Sequence, residues 1–161
     1  MYKVKNKLVL NSILVFSIFA IFVAYFIQYV LGHNPCNLCL IERIPYIFSI
    51  IIISICLFTK KFEKFTLIIL SLTFLIAALL SFYHFGIEQG FIKESLVCDL
   101  NTPNNDLSKE ALLNQLKQMP ISCKDVTFKI FGLSLATFNI FISVVLSVIT
   151  INIFLNYEKN K

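Results

Sequence analysis

Four long apolar runs constrain the fold of this chain more than any other feature of its sequence. A helix needs roughly 20 apolar residues to cross the hydrocarbon core of a bilayer. Runs of about that length extend over Leu8–Leu31, Leu40–Phe58, Phe65–Phe85 and Leu133–Leu155. Backbone groups in lipid must be satisfied within a helix or a closed barrel, and the alternating pattern of barrel strands is absent. The sequence therefore predicts an all-α membrane protein with a four-helix transmembrane bundle.

The composition agrees with a membrane protein of one domain. Of the 161 residues, 58% are hydrophobic and 14% are charged, and the mean hydropathy is +0.82. These values lie outside the usual range of soluble domains. We expect residues 1–161 to form a single four-span domain, because no polar segment is long enough for an ordinary soluble module. The first run is too long for a signal peptide and no small-residue cleavage site follows it, so we expect it to be retained.

The basic residues of the short polar segments predict the orientation in the membrane. Lysine and arginine are enriched in cytoplasmic loops, and lysines precede the first run, separate the second from the third and follow the fourth. Segment 32–39 has no lysine or arginine, and segment 86–132 mixes lysines with acidic residues. We therefore expect cytoplasmic termini and two exoplasmic loops, at about 32–39 and 86–132. The net charge of +5 follows from this topology and does not indicate a nucleic-acid partner.

The long exoplasmic loop is predicted to contain a short amphipathic helix. Residues 105–108 offer capping side chains, and Leu112, Leu116 and Met119 follow at helical spacing before Pro120. Such a helix can lie on the membrane surface and bring Cys123 toward the cysteines of the first loop. A plain surface helix that only orders the loop is the alternative.

Four of the five cysteines fall in the predicted exoplasmic loops. Cys36 and Cys39 form a C-x-x-C in the first loop, and Cys98 and Cys123 lie in the second. A reactive C-x-x-C beside a second pair allows a disulfide to be passed on by thiolate attack, in a compartment where disulfides persist. A loop pair that is only structural is an open alternative. Metal binding is a third possibility, because C-x-x-C…C is a zinc-like spacing. It is disfavoured, since the second pair is widely spaced and no histidine lies at ligand spacing from it, and we assign no metal site.

The residues before the C-x-x-C predict a helix that begins beside Cys36. Asn34 is a capping residue and Pro35 suits the first helical position, which places Cys36 at the second position. A helix N-terminus stabilises a thiolate and lowers its pKa. In an alternative arrangement, Pro45 begins the regular helix and residues 36–44 form a looser turn.

Two charged residues follow the C-x-x-C. Arg43 is four residues after Cys39, so on a continuous helix its guanidinium lies on the same face and adds a positive charge. Alternatively, Arg43 only extends to the lipid headgroups. Glu42 is expected to be an interfacial residue or a partner for a lysine. Cys56, late in the second run, is expected to act as a small buried hydrophobic residue.

The segment Pro35–Pro45 resembles the P-C-x-L-C-x-x-x-R signature of the DsbB family of bacterial disulfide-bond formation proteins. The resemblance implies a thiol:quinone oxidoreductase of the bacterial inner membrane that supports disulfide bond formation. It would reoxidise a soluble, DsbA-like thioredoxin-fold oxidase and pass the electrons to ubiquinone or menaquinone. Three other features agree with the family: residues 83–90, the Cys98 and Cys123 pair, and residues 131–134 with Asn139 downstream.

The resemblance also implies a role for each matching residue. The loop pair oxidises the soluble partner, and Cys98 forms the mixed disulfide with it. Cys36 exchanges with the loop pair, and Cys39 delivers electrons to the quinone.

Arg43 and His84 match family residues beside the quinone. A neutral imidazole can donate to a carbonyl that becomes a hydroxyl, which suits His84 to this position. A helix-end histidine bonded to backbone or lipid is the alternative.

Two other functions stay open from the sequence. One is a non-enzymatic membrane protein whose disulfides only brace the exoplasmic loops. The other is a quinone reductase of the vitamin-K-epoxide type, in which the active C-x-x-C is expected in a late span.

Overall fold

The computed structural model describes residues 2–59, 63–93, 123–124, 129–130 and 132–159. Within these residues, four helical segments are long and apolar enough to cross a membrane. The predicted all-α, four-span architecture is therefore confirmed. Cys98 and the amphipathic helix predicted within 105–120 lie outside the described residues.

The helices overlap the four predicted spans, but their first and last residues differ from the predicted ones. The elements in chain order are α1 (Tyr2–Tyr29), α2 (Asn37–Ile41), α3 (Ile44–Thr59), α4 (Glu63–Glu88), β1 (Lys129–Ile130), β2 (Leu133–Ser134) and α5 (Leu135–Lys159).

The second span is divided into two helices, so the predicted continuous helix from Leu40 is wrong. The five-residue α2 ends at Ile41, and α3 begins at Ile44 after a two-residue turn. Pro45 lies in the first turn of α3, where its missing N–H removes no helical hydrogen bond. The structure thus agrees with the alternative in which the regular helix begins near Pro45, but the looser turn expected over residues 36–44 is instead the short helix α2 followed by a two-residue turn.

The fourth span begins after a short β-hairpin, two residues later than predicted. Lys129 pairs with Ser134 and Ile130 with Leu133, and Gly132 has a φ of 82° in the turn between them. A positive φ of this kind suits glycine and is required by the tight turns that join two strands. Ser134 Oγ then accepts a hydrogen bond from the Thr137 N–H at 3.3 Å, which caps α5.

An apolar core in the bundle interior joins α1, α3, α4 and α5. Tyr46 and Phe74 meet there edge to face, with ring centroids 6.2 Å apart. Large apolar side chains also cover the outside of the helices, as in Phe22 and Phe58, which suits a surface in contact with lipid. Cys56 is buried in α3. The core cluster consists of Leu10, Ile13, Tyr46, Ile53, Leu67, Leu70, Phe74 and Leu146.

Candidate functional site

Cys36 and Cys39 lie at the start of α2 as two thiols in contact. The Cys36 thiol donates to Cys39 Sγ at 3.0 Å, and the Cys39 N–H donates to Cys36 Sγ at 3.4 Å. Cys36 is therefore the N-cap of α2, with an extended backbone. The prediction that Asn34 caps the helix and that Cys36 is its second residue is wrong, because the sulfur of Cys36 itself serves as the capping group.

The surroundings of Cys36 stabilise its protonated form. The pKa of Cys36 is raised from 9.0 to about 12, first by the hydrogen bond with Cys39 and then by burial, while the hydrogen bond with His84 acts in the opposite direction. The predicted lowering of this pKa by a helix N-terminus is therefore not found in the dithiol. A helix of five residues has few aligned peptide dipoles to oppose burial.

His84 connects Cys36 to a buried carboxylate. Its Nε2 lies 3.5 Å from Cys36 Sγ, and its Nδ1 lies 2.9 Å from Glu42 Oε1. The role of Nε2 depends on the proton of the ring: a protonated Nε2 donates to the sulfur and favours the thiolate, whereas a neutral ring that donates Nδ1–H to Glu42 can accept the Cys36 proton at Nε2. Glu88 Oε1 is 3.7 Å from the same Nε2. His84 is only 2% exposed, so this side chain is part of the bundle interior at the C-x-x-C.

Glu42 belongs to this site, and its prediction as an interfacial residue or lysine partner is wrong. Its side chain is buried, and Oε2 accepts a hydrogen bond from Asn139 Nδ2 at 3.0 Å. Asn139 Nδ2 also donates to Ser81 Oγ at 2.7 Å, and Asn139 Oδ1 accepts from the Tyr46 hydroxyl. The network joins the turn before α3 to α4 and α5. An ionisable residue within an apolar span is a functional candidate by default, and that signal was available for Glu42.

Arg43 lies in the turn between α2 and α3 and contacts α1. Its Nη1 donates to Gln28 Oε1 at 2.7 Å, and its guanidinium carbon lies 5.0 Å from the centroid of the Tyr25 ring. Because α2 ends at Ile41, the argument that placed Arg43 and Cys39 on one helical face fails. Both residues nevertheless line the same cavity. Sequence reasoning did not identify Gln28 as a site residue, although a polar glutamine near the end of an apolar run indicates a functional position.

An apolar cavity of about 320 Å³ opens beside these groups. Its walls come mainly from α1 and α5, and they include Phe16, Ala20, Val23, Phe138 and Ile142. A cavity of this size with mostly apolar walls and a few polar groups is typical of a small-molecule site. The polar and sulfur-containing side chains that line it include Gln28, His33, Cys36, Cys39, Glu42, Arg43, His84, Glu88, Cys123 and Asn139.

Cys123 packs against the first cysteine pair. It is 2% exposed and shares a buried cluster with Cys36, Leu38 and Ile87. The structure therefore brings together five of the six predicted site residues: Cys36, Cys39, Arg43, His84 and Cys123. The sixth, Cys98, lies outside the described residues.

Comparisons with known proteins were consistent with one family. The family model for the disulfide bond formation protein DsbB matches residues 6–153. The uncharacterized protein RP370 of Rickettsia prowazekii (strain Madrid E) is 35% identical over 162 residues, which cover 99% of this chain and 91% of that protein. No solved structure matches the chain.

Proposed function

Because this chain belongs to the DsbB family of disulfide bond formation proteins, we propose that it is a thiol:quinone oxidoreductase of the bacterial inner membrane. Family membership and the four spans already make it a multi-pass membrane protein of disulfide formation. The proposed donor is a soluble DsbA-like thioredoxin-fold oxidase, and the proposed acceptor is ubiquinone or menaquinone. One observation carries the proposal: the Cys36–Cys39 dithiol packs against Cys123 and lines an apolar cavity.

In this proposal, electrons enter at the loop pair and leave at the C-x-x-C. A thiolate of the reduced partner attacks Cys98 Sγ, which breaks the Cys98–Cys123 disulfide and forms a mixed disulfide between the partner and Cys98. The second thiolate of the partner then displaces Cys98, so that the partner becomes a disulfide and the loop pair a dithiol. The loop dithiol then reduces a Cys36–Cys39 disulfide by a second exchange. Closing the Cys36–Cys39 bond again delivers two electrons and two protons to the quinone. The packing of Cys123 on Cys36 supports this order of exchange.

The neighbours of the C-x-x-C are suited to the last of these steps. Cys36 must lose its proton before its bond to Cys39 closes, and His84 Nε2 is 3.5 Å from its sulfur. Glu42 stabilises a positive charge that forms on His84, since its carboxylate contacts Nδ1. Arg43 lines the cavity and offers donors to a quinone oxygen that gains negative charge.

The donor side is tested by replacing Cys98. We expect Cys98→Ser to abolish the mixed disulfide with the soluble oxidase while the Cys36–Cys39 bond still forms, as measured by thiol trapping in living cells. Cys56→Ala is the matched control, because it removes a cysteine buried elsewhere in the bundle. Oxidation of the partner at the normal rate in Cys98→Ser would show that this route is wrong.

The acceptor side is tested by quinone reduction with the purified protein and a reduced thioredoxin-fold partner. We expect Arg43→Ala to raise the KM for quinone, because the substitution removes the cationic donor from the cavity lining. Unchanged quinone kinetics would remove Arg43 from the site. A pair of cysteines that stays oxidised in cells with and without quinone would instead indicate the structural alternative.

A further inference from the structure

The thiols of the C-x-x-C and one nitrogen of His84 form a compact group of three donors. Cys36 Sγ, Cys39 Sγ and a ring nitrogen of His84 all lie within 4.8 Å of one another. The spacing of the C-x-x-C indicated two of these donors but not the third, because His84 is 48 residues from Cys36. We propose that the reduced protein binds one Zn²⁺ through Cys36, Cys39 and His84, and that oxidation of the cysteine pair abolishes this binding.

The distances between the donors are close to those of a tetrahedral zinc site. Zn–S bonds of about 2.3 Å and Zn–N bonds of about 2.0–2.1 Å place a sulfur and a nitrogen ligand about 3.6 Å apart, and two sulfur ligands about 3.8 Å apart. Cys36 Sγ is 3.5 Å from His84 Nε2, which already matches. The two sulfurs, at 3.0 Å, must separate by somewhat under 1 Å. Loss of their S–H···S hydrogen bond on deprotonation favours that separation.

His84 already has the outer partner that zinc-binding histidines use. Metal-ligating imidazoles donate their second N–H to a carboxylate or carbonyl, which fixes the ring and its tautomer. His84 Nδ1 lies 2.9 Å from Glu42 Oε1, so Nε2 is the nitrogen that faces the sulfurs. Glu42 is in turn held by Asn139 at 3.0 Å. The hydrogen bond between His84 and Glu42 is an observation separate from the distances between the three donors, and it also indicates a zinc ion as the species bound.

The charge and softness of the donors select the metal. Binding converts two thiols to thiolates and releases two protons, so Zn²⁺ with two thiolates and a neutral imidazole has no net charge. A neutral complex suits a buried site, where an uncompensated charge is costly. Thiolate and imidazole ligands favour Zn²⁺ or Co²⁺ over Mg²⁺ and Ca²⁺. All three donor residues line the cavity, which leaves room for a water molecule as the fourth ligand.

Oxidation controls the site because a disulfide has no thiolate to offer. A Cys36–Cys39 bond removes two of the three ligands, and reduction restores them. If the proposed function is correct, bound Zn²⁺ also blocks reoxidation of the pair by quinone, since both sulfurs are held as metal ligands. This consequence rests on the proposed function, whereas metal binding itself does not.

The test is a Co²⁺ titration of the purified full-length protein in detergent, reduced with a phosphine that is then removed. We expect one Co²⁺ per chain, with sulfur-to-cobalt charge-transfer bands and tetrahedral d–d bands that Zn²⁺ displaces. Protein with an oxidised Cys36–Cys39 pair should show none of these bands, and this control requires no substitution. Magnesium added at the same concentration should not compete.

Substitutions identify the ligands in the same titration. Cys36→Ser and His84→Phe should each lose the bands or weaken binding more than tenfold, and Glu42→Gln should weaken it about tenfold through the outer partner. Cys56→Ala is the matched control and should bind one Co²⁺ normally. Equal binding by oxidised and reduced protein, or by Cys36→Ser and Cys56→Ala, would overturn the proposal. The titration contains no quinone, so a failure of quinone turnover leaves its outcome unaffected.

Discussion

The contacts of Cys36 determine when this residue can act as a nucleophile. Its raised pKa, about 12, means that the native contacts favour the thiol over the thiolate. The stabilisation from these contacts is present at neutral pH and is lost as the pH rises through the pKa of the folded protein. In the proposed reaction Cys36 therefore needs an adjacent acceptor for its proton, and we propose His84 Nε2, which lies 3.5 Å from the sulfur.

We predict that Cys39→Ala makes Cys36 more reactive in metal-free, reduced protein. The hydrogen bond with Cys39 is the largest cause of the raised pKa, so its removal lowers the pKa of Cys36 and increases the thiolate fraction at pH 8. Each tenfold gain in thiolate should speed alkylation about threefold, because a less basic thiolate is also a weaker nucleophile. Mass spectrometry of the Cys36 peptide measures the rate. Cys39→Ser keeps a hydrogen-bonding group and should change it less; equal rates in wild type and Cys39→Ala would contradict the argument.

The sequence predicted which candidate residues lie together at the site better than it predicted their hydrogen-bond partners. Cys36, Cys39, Arg43 and His84 carry chemistry that their residue types and local motif reveal. Their hydrogen-bond partners are distant in sequence: Glu42 contacts His84 across 42 positions and Asn139 across 97. The spacing of residues along one sequence gives no information on such contacts. The sequence therefore predicts Glu42 at the membrane interface and not in the site.

At the scale of elements, the polar network around Glu42 fixes how the turn before α3 meets α4 and α5. Each donor in it faces an acceptor: Asn139 Nδ2 donates to Glu42 and Ser81, and the Tyr46 hydroxyl donates to Asn139 Oδ1. Buried hydrogen bonds of this kind are costly to leave unmade, about 1–3 kcal/mol for each orphaned group. The network is therefore a source of specificity in an otherwise apolar bundle.

We predict that Glu42→Gln destabilises the bundle and that Asn139→Asp restores it. With the glutamine oxygen on His84, its amide group faces the Asn139 amide, and two donors meet without an acceptor. An aspartate at 139 supplies that acceptor and still accepts from the Tyr46 hydroxyl. The Ser81 hydroxyl, which accepts from Asn139 Nδ2 in the native protein, can rotate to donate to the aspartate. Thermal unfolding in detergent should show a lower Tm for Glu42→Gln and recovery in the double variant. Asn139→Asp alone places two carboxylates together and should be less stable than wild type; additive effects in the double variant would contradict the network.

We predict a smaller effect where α1 meets the turn between α2 and α3. Gln28→Leu removes the acceptor of the Arg43 hydrogen bond, and we expect a loss of about 1 kcal/mol, because both side chains are half-buried. Gln28→Glu keeps an acceptor and should retain the wild-type Tm or exceed it. The two melting curves provide the measurement, and identical Tm values for the leucine and glutamate variants would show that the contact is not stabilising.

Span number and helix type were predictable because length and hydropathy alone decide what can cross a bilayer. The sequence did not decide whether the second span is one helix or two, since Pro45 is compatible both with a continuous helix and with a helix that begins beside it. The two-residue turn at Glu42 and Arg43 follows from their side chains, which contact α4 and α1. Such tertiary contacts override a local helical pattern.

At the scale of the whole molecule, an even number of spans predicts that both ends of the chain lie on one side of the membrane, and the lysines predict which side. Lysine at 3, 5 and 7, at 60, 61 and 64, and at 159 and 161 lies at that end of the spans. Among the described residues, Cys36, Cys39 and Cys123 lie together at the opposite end of the spans. From the positive-inside rule we expect this end to face the oxidising compartment.

We predict that reporter fusions will place the C-terminus in the cytoplasm and residues 94–122 in the periplasm. Alkaline phosphatase needs periplasmic disulfides, so it should be inactive when fused after Lys161 and active when inserted after Asn105. A fluorescent protein that matures only in the cytoplasm should give the opposite pattern at the same two positions.

Replacing Lys60, Lys61 and Lys64 by glutamine tests whether the lysines cause this orientation, because fewer cytoplasmic charges should yield a mixed orientation with partial phosphatase activity at Lys161. High phosphatase activity at Lys161 in the unaltered chain would reverse the topology and place the cysteine pairs in the reducing cytoplasm, where the proposed oxidation of a periplasmic partner cannot occur.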